Sequence, residues 1–193
     1  MAKRKKKVRK DRTALMEKIH KILGHIMVVI AILLIVGVFG GAYYFIIAPN
    51  LVSKPFIEMP SLPEDWSAKV SNGESVVNSS HINYIINEME AYKLRKTFGS
   101  KDYPIMEFLL TDTGERYYSF VKDNMPVTKK GNAKGEDIII AGTQQVVFEI
   151  LESDHVMLAV KEANNDGRIQ VQLVSDMTTL AKKGYLSIYD NLK

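Results

Sequence analysis

The feature that most constrains this chain is a long apolar segment close to its N-terminus. Residues 22–48 carry no formal charge, and the part from Ile26 to Ile47 is apolar apart from glycines and tyrosines. Twenty-two helical residues extend about 33 Å, which is enough to cross a hydrocarbon core about 30 Å thick. We therefore predict a transmembrane helix over residues 22–48.

The charge that flanks this segment predicts its orientation. Residues 1–21 contain ten of the 26 basic residues and only two acidic ones, a net charge of +8, whereas Lys54 is the one basic residue soon after the segment. Basic flanks are retained on the cytoplasmic side. Residues 1–21 are therefore predicted to be a basic cytoplasmic tail, and the C-terminal part to lie outside the cell membrane as a single-pass protein.

Cleavage of the segment as a signal peptide is the alternative. Gly40 and Ala42 provide the small residues that a cleavage site needs. The apolar run continues through Ile47, however, and is long for a signal peptide. An uncleaved signal anchor is therefore the favoured interpretation.

Two glycines in the segment suggest contact between helices. Gly37 and Gly41 are four residues apart, so they lie on one helix face and allow a second helix to approach closely. They are candidates for a homodimer contact, although glycine is also common in membrane helices without one.

The composition of the remaining chain excludes several classes of protein. Its 193 residues suit one domain plus an anchor. Residues 22–193 hold 16 basic and 20 acidic groups, a net charge of −4, so we expect no nucleic-acid partner. The chain has no cysteine, which excludes disulfides and cysteine-ligated zinc.

Residues 49–70 are predicted to be a proline-rich linker. Four prolines fall within fifteen residues and exclude a regular helix or a central strand: Pro49, Pro55, Pro60 and Pro63. Extended at about 3.1 Å per residue, this stretch would hold a domain roughly 45 Å from the membrane. Its apolar side chains argue against a freely solvated tether and would pack on the domain or lie at the membrane interface: Phe56, Ile57, Met59, Leu62 and Trp66.

Residues 71–193 are predicted to form an extracytoplasmic α+β domain. The first helix is capped by Asn78, Ser79 or Ser80 and extends to about Phe98, before Gly99 and Ser100. Strands are predicted at 105–110, 117–121, around Val127, at 138–140 and at 168–173, with a turn at 111–115. A further apolar segment covers 156–160. Thr143 and Asp176 are candidate caps for two more helices, the second with one apolar stripe to Leu192. We expect a small antiparallel sheet covered by helices.

The search for catalytic motifs in this domain is negative. Neither HExxH, nor GxSxG, nor a phosphate-binding loop occurs. His81 and His155 are too few for a three-histidine zinc site and are interpreted as surface residues. We expect no catalytic residue, no metal and no cofactor, and therefore no enzyme.

Several acidic and polar residues resemble functional groups but have simpler interpretations. Asp112, Asp123 and Asp137 lie at predicted strand ends, where carboxylates usually form turns. The segment from Glu162 to Gly167 resembles the start of a calcium loop, but Leu173 occupies the position of the required glutamate, so a hairpin turn is favoured. Asn78 begins a glycosylation sequon that helix capping explains equally well.

A family resemblance covers about residues 81–193. The residues that carry it are the stretch 117–124, the strand 138–140 before the helix from Val146 to Leu151, and above all the sequence Gly-Arg-Ile-Gln-Val at 167–171. In order and type, these elements resemble the sterol-carrier-type lipid-transfer domain, sterol carrier protein type two. The chain departs from that pattern at Leu173, Val174 and Ser175, and a membrane-anchored external location is unusual for the family.

The resemblance implies a twisted sheet covered by helices, with an apolar tunnel between them and no catalytic residue. The side chains that would line the tunnel are Ile82, Ile86, Met89, Phe108, Phe120, Ile139, Val147, Leu151, Met157, Met177, Leu180 and Ile188. The same apolar faces would equally form the solid core that every small domain requires.

Two functions therefore follow as expectations. The first is a membrane-anchored, non-enzymatic domain that binds a lipid or another apolar ligand outside the cytoplasm. The alternative is a solid-cored scaffold or protein-interaction domain of the cell envelope. An internal cavity would favour the first function, whereas an exposed apolar patch without a cavity would favour the second.

Overall fold

The computed structural model of the chain describes residues 2–43, 47, 51–97 and 102–192, and of residues 2–19 the backbone alone. The chain divides into two compact units, Met1–Ile47 and Ala48–Lys193, and each is described by itself. The predicted helix end at 98, its stop signal at 99 and 100, and the boundary at 48 and 49 lie outside the described residues.

The first unit is one long helix. Helix α1 spans Ala2–Ala42, and its part His20–Ala42 is, among the described residues, the one helical segment long and apolar enough to cross a membrane. These 23 residues extend about 35 Å. The helix is therefore consistent with a signal anchor or a signal sequence.

The second unit is built on a five-stranded sheet with the order β3-β2-β1-β4-β5. Its strands are β1 Ile105–Leu110, β2 Arg116–Lys122, β3 Met125–Lys130, β4 Ile138–Gly142 and β5 Ile169–Leu173. Neighbouring strands are antiparallel except β1 and β4, which are parallel. The predicted α+β class is confirmed, and the sheet is mixed.

The connection between β3 and β4 explains the parallel pair. β3 runs in the direction of β1, and residues 131–137 return the chain to the level at which β1 starts. One hydrogen bond holds this connection: the Ala133 N–H donates to the buried Glu107 carboxylate at 2.8 Å. The same carboxylate forms an ion pair with Arg116. β4 therefore enters the sheet at the start of β1 and runs in the same direction.

The sheet of the second unit is packed against helices. They are α2 Trp66–Ser71, α3 Ser79–Glu88, α4 Gln144–Glu152, α5 Val156–Asn165, α6 Met177–Lys183 and α7 Tyr185–Asn191. Alternate residues of the strands, such as Met106, Phe108 and Tyr117, point towards these helices and are buried in one apolar core. The residues described in this core all belong to the second unit.

Two predicted helices end earlier than the sequence suggests. The first ends at Glu88 and not near Phe98, because Glu90 adopts a left-handed conformation (φ 65°) and a short 3-10 turn, Ala91–Lys93, follows. The C-terminal apolar stripe is divided between α6 and α7, because Gly184 adopts a left-handed conformation (φ 91°) that ends α6. The caps predicted at Asn78, Thr143 and Asp176 are confirmed.

The proline-rich segment is attached to the second unit and is not a free spacer. Trp66, at the start of α2, stacks on Phe148 with ring centroids 4.8 Å apart and donates to Glu152 at 2.7 Å. Asn87 donates to the Pro55 carbonyl at 3.2 Å, and Lys54 pairs with Glu88 at 2.6 Å. The apolar side chains Leu62 and Trp66 pack against the core, whereas Phe56 is 92% exposed.

Candidate ligand-binding cleft

A cleft of about 710 Å³ opens on the sheet face opposite the apolar core. We call it the outer-face cleft. Its wall includes strand residues whose side chains alternate with those of the core, together with the connection to β4 and helix α6. The lining residues are Thr97, Asp102, Tyr103, Ile105, Tyr118, Phe120, Lys134, Gly135, Asp137, Ser175, Thr179, Lys182 and Lys183.

The floor of the outer-face cleft is aromatic and apolar. Phe120 lies opposite Ile105 across the β1–β2 pair, and Tyr118 lies two residues earlier on the same face. Tyr103 packs edge-on against Phe120, with ring centroids 6.5 Å apart at 61°. These half-buried side chains provide a surface on which an apolar molecule can lie.

The rim of the cleft carries lysines. Lys134 and Lys182 are exposed lining residues, and neither forms an ion pair with any residue in the described ranges. Above the floor, the Lys96 ammonium lies 5.7 Å from the centre of the Tyr103 ring, and the Lys129 ammonium lies 5.6 Å from that of Phe120. Cations over aromatic faces are held by the ring quadrupole, so the rim keeps positive charge close to an apolar floor.

The back wall of the cleft is a buried polar cluster centred on Asp137. Lys183 donates to both oxygens of the Asp137 carboxylate, at 2.7 and 2.9 Å. The carboxylate also accepts from the hydroxyls of Ser175 and Tyr185 and from the Ile105 N–H, at 2.9, 3.0 and 2.9 Å. The cluster thereby joins β1, β4 and both C-terminal helices, and it fixes the shape of the cleft.

The protonation of this cluster suits its structural role. Burial, reinforced by the nearby negative charge of Asp137, raises the pKa of the Tyr185 hydroxyl well above its ordinary value, so Tyr185 remains a hydrogen-bond donor. Lys183 makes a further contact with the Tyr103 carbonyl at 3.3 Å. The acceptor and donor positions of this ion pair are therefore occupied by protein groups.

Local sequence explains how α6 faces the cleft. Asp176 caps the helix by accepting from the N–H groups of Thr178 and Thr179, at 2.9 and 3.0 Å. The hydroxyl and N–H of Thr179, the main causes, lower the pKa of the Asp176 carboxyl. Thr179 and Lys182 are three residues apart, so both lie on the helix face that turns to the cleft.

A second cavity of about 420 Å³ lies on the helix side of the unit. The linker residue Met59 forms one wall, and residues of α3, α4 and α5 form the others. Two of its acidic groups already have partners, since Glu88 pairs with Lys54 and Glu152 accepts from Trp66. The second cavity is smaller than the outer-face cleft, and these two acidic groups already bind other protein groups.

The twelve residues that were predicted to line a tunnel do not lie around one cavity in the structure. Phe120 lies in the outer-face cleft, and Leu151 and Met157 line the second cavity. Ile139 is half-buried on β4, and Met177 is 56% exposed at the start of α6. Eight of the twelve, including Leu151, belong to the buried apolar core: Ile82, Ile86, Met89, Phe108, Val147, Leu151, Leu180 and Ile188.

Two of the polar residues considered in the sequence analysis, His81 and Asp112, form hydrogen bonds that stabilise the fold. His81 is buried and not on the surface, because its ring closes a capping box with Asn78 and packs edge-on against Phe148. Asp112 accepts from the Gln144 N–H at 3.1 Å, whereas His155 is exposed before α5. In the described part of the chain, no group of three or more acidic or histidine side chains could hold a metal ion.

Sequence reasoning missed most of the cleft. The position of Asp137 at a strand end predicts a turn residue, but the structure places it at the centre of a buried cluster with Lys183, 46 positions further along the chain. Lys134 and Lys182 have no local signal, since exposed lysines are common on every surface. Alternation along residues 117–121 does place Tyr118 and Phe120 on one face, and this was the usable signal.

Comparison with known proteins gives matches among solved structures. The UbiJ-SCP2 ubiquinone synthesis protein matches 68% of this chain and 100% of its own, with 8% identity and a TM-score of 0.35. A stereoselective inverting sec-alkylsulfatase from Pseudomonas sp. matches 57% of this chain and 16% of its own, with 9% identity and a TM-score of 0.35. A double mutant of the sec-alkylsulfatase matches 63% and 17%, with 10% identity and a TM-score of 0.37.

The first of these names the domain type that the sequence resembles, so that resemblance is confirmed as a structural similarity at low sequence identity. The chain spans about a sixth of the length of the alkylsulfatases. No protein-family model matches the chain, and no curated protein matches it. The similarity concerns the fold alone.

Proposed function

We propose that the second unit binds an amphiphilic molecule, such as a lipid, in the outer-face cleft and does so at the surface of the membrane that α1 spans. The observation that carries this proposal is the combination of an aromatic floor, formed by Tyr103, Tyr118 and Phe120, with the exposed lysines Lys134 and Lys182 at its rim. The floor suits an apolar body, and the rim suits a polar head.

The size and rigidity of the cleft support this function. Small-molecule sites usually have volumes of about 300–1,000 Å³ and combine apolar surface with a few polar groups, and the cleft of about 710 Å³ fits both criteria. The buried Asp137 cluster fixes the walls before a ligand arrives, which reduces the ordering cost of binding.

The proposed ligand site differs in position from the tunnel that the resemblance implies. Most predicted tunnel residues pack against one another in the core, where side chains such as Ile82 and Val147 have no measurable exposure. The cleft lies on the opposite face of the sheet. A ligand there would contact Phe120 but not the core residues.

We further propose that the unit is not an enzyme. The two ionisable groups at the back of the cleft, Asp137 and Lys183, hold each other at 2.7 Å and make further hydrogen bonds to the protein. A general base or nucleophile needs a free position towards the substrate. The proposed role of these two groups is therefore to shape the cleft.

The remaining parts of the proposal concern the membrane. We propose that α1 is an uncleaved anchor with the basic tail in the cytoplasm, which places the second unit outside. Apart from the backbone of their own helix, Gly37 and Gly41 would meet no atom of the described residues within 4 Å if they carried a Cβ, so this face offers room for a second copy of α1. Dimerisation through this face remains part of the proposal.

Photolabelling tests ligand binding in the full chain. We would reconstitute it in phosphatidylcholine nanodiscs, add palmitate that carries a diazirine, irradiate, and map the adducts on peptides. Adducts on β1, β2 and α6 are expected. Phe120→Ala should reduce them several-fold, whereas Leu109→Ala, a half-buried apolar truncation on the same sheet face but outside the cleft, should not.

Two results would contradict the binding proposal. In one, wild-type adducts are confined to α1, as expected for a lipid that only surrounds the anchor. In the other, Phe120→Ala and Leu109→Ala label alike. Either result would favour the alternative function, a scaffold or interaction domain of the envelope with a solid core.

A further inference from the structure

The proline-rich segment carries apolar side chains that the domain does not cover. Phe56 is 92% exposed and Leu51 is 68% exposed. An isolated exposed leucine is common on protein surfaces, but a phenylalanine with almost its whole ring in water is not. We therefore expect Phe56 to contact a partner outside the second unit.

The backbone beside Phe56 is fixed and not free. The Pro55 carbonyl accepts from Asn87 at 3.2 Å, and the preceding Lys54 pairs with Glu88 at 2.6 Å. Both contacts attach the segment to the C-terminal end of α3. The Phe56 ring consequently projects from a defined place on the domain and cannot fold back through free rotation of a tether.

Chain connectivity identifies the surface that Phe56 can reach. Eight residues lie between Ile47, at the end of the first unit, and Phe56, and the nine steps of the fully extended chain span at most about 32 Å. Phenylalanine and leucine side chains on a membrane-facing surface bury at the boundary between head groups and acyl chains, and binding strengthens with the apolar area buried. The bilayer surface is the apolar partner that is tethered to this segment.

We propose that Phe56, assisted by Leu51, inserts into the outer surface of the bilayer and holds the second unit against the membrane with the C-terminal end of α3 facing it. This inference rests on the proposed membrane anchoring by α1. The interaction is apolar and not ionic, because Lys54 is already paired and the neighbouring Glu58 is acidic. Insertion should therefore be independent of anionic lipid.

The chain has no cysteine, so single nitroxide labels can report depth without background substitutions. We would label Ser53→Cys in the full chain, in phosphatidylcholine nanodiscs, and measure collision of the label with oxygen, which concentrates in lipid, and with a water-soluble nickel chelate. Ile30→Cys, within the apolar helix, gives the bilayer reference. Thr111→Cys gives the solvent reference, because the turn after β1 lies far from the C-terminal end of α3. The Tyr117 hydroxyl, on the strand that follows this turn, donates to the Val77 carbonyl just before the N-terminal end of α3.

The expected result is a label at Ser53 with several-fold greater oxygen preference than the label at Thr111. Phe56→Ser should remove that difference, whereas Leu158→Ser, which also removes an exposed apolar side chain but from α5, should preserve it. Adding phosphatidylglycerol should not change either value. Because Phe56 and Leu158 are exposed, neither substitution should change the thermal unfolding of the domain.

Each contrary result has a separate meaning. If the Ile30 label is not in lipid, the anchoring proposal fails. If the Ile30 label is deep in the bilayer but the Ser53 and Thr111 labels are equally exposed to nickel, or if Phe56→Ser has no effect, the docking inference fails while anchoring stands. Protection at Ser53 that persists without lipid would assign the segment to a contact with a second copy of the chain and would also overturn the inference.

Discussion

Asp137 joins several elements of the second unit through buried interactions. Its side chain is 1% exposed and its carboxylate accepts from Lys183, Tyr185, Ser175 and the backbone of Ile105. A buried ion pair of this kind is costly to break, because the remaining partner is left charged and unpaired. The cleft and the packing of both C-terminal helices therefore depend on one carboxylate.

Asp137→Asn should lower the free energy of unfolding by about 3–5 kcal/mol, because it leaves the Lys183 ammonium buried without its counter-ion. Circular dichroism during urea unfolding measures the change. Asp166→Asn is the matched control, since it breaks only the exposed pair with Arg168 at 3.5 Å and should cost less than about 1 kcal/mol. Equal effects of the two substitutions would contradict the assigned role of Asp137.

His81 gives the second unit a pH dependence with a defined sign. Burial lowers the pKa of its ring below the ordinary value of 6.5, against a smaller opposite effect of the Ser61 backbone. The unfolded chain therefore binds this proton more readily than the folded chain. The resulting stability is complete above pH 6.5 and is lost as the pH falls from there through the folded pKa.

His81→Gln should remove this part of the pH dependence. Glutamine at this position can still accept from the Asn78 N–H, which is the usual role of the third helical residue in a capping box. The free energy of unfolding, measured from pH 7.5 to 5, should fall less steeply for the variant than for wild type. His155→Gln, at an exposed site, should leave the slope unchanged, and an unchanged slope in His81→Gln would refute the prediction.

Local residue chemistry was predictable, whereas long-range pairing was not. Asn78, Thr143 and Asp176 were identified as helix caps because a cap depends only on the three residues that follow it. The partners of Asp137 come from residues 105, 175, 183 and 185, and no local pattern relates them. The cleft that they shape was for the same reason invisible in the sequence, except for its aromatic strand.

At the scale of elements, the strands were the most predictable part of the fold. β1 has the predicted bounds Ile105–Leu110, since the turn residues at 111–115 and the alternation along β2 define the hairpin. The parallel pairing of β1 with β4 was missed because it depends on how residues 131–137 cross the sheet. Helix ends at Glu88 and Lys183 were missed because left-handed residues, Glu90 and Gly184, are specified by packing as much as by residue type.

The contacts that attach the proline-rich segment to the second unit predict the effect of substitutions at Trp66, the first residue of α2. Trp66→Ala should lower the free energy of unfolding by about 2–3 kcal/mol, somewhat less than for a fully buried tryptophan, because it removes the stack on Phe148 and the bond to Glu152. Trp66→Phe keeps a ring on Phe148 and should cost only about 1 kcal/mol. Circular dichroism is the required measurement, since Trp66 is the single tryptophan. A free tether would give no loss in either variant.

At the scale of the whole molecule, the basic tail and the apolar helix predict the topology. The +8 charge of residues 1–21 precedes the span, and the second unit follows it. Because the chain lacks cysteine, one introduced cysteine can be labelled in intact cells with a membrane-impermeant maleimide. Thr111→Cys should be labelled in intact cells and Ala14→Cys only after lysis.

The opposite labelling pattern would reverse the proposed orientation. A mature chain that lacks the label of Ala14→Cys even after lysis would show that the helix is removed as a signal sequence. In that case the docking of Phe56 would lose its tether, whereas the cleft on the second unit would be unaffected.

The central claim is that the outer-face cleft holds an amphiphilic ligand, and native mass spectrometry of the full chain released from its own membranes tests it most directly. The account predicts a wild-type species with one bound molecule, identified after organic extraction as an amphiphile, which Phe120→Ala loses and Leu109→Ala retains. A wild-type chain without bound molecules, or one whose bound molecules are the same in both variants, would contradict it.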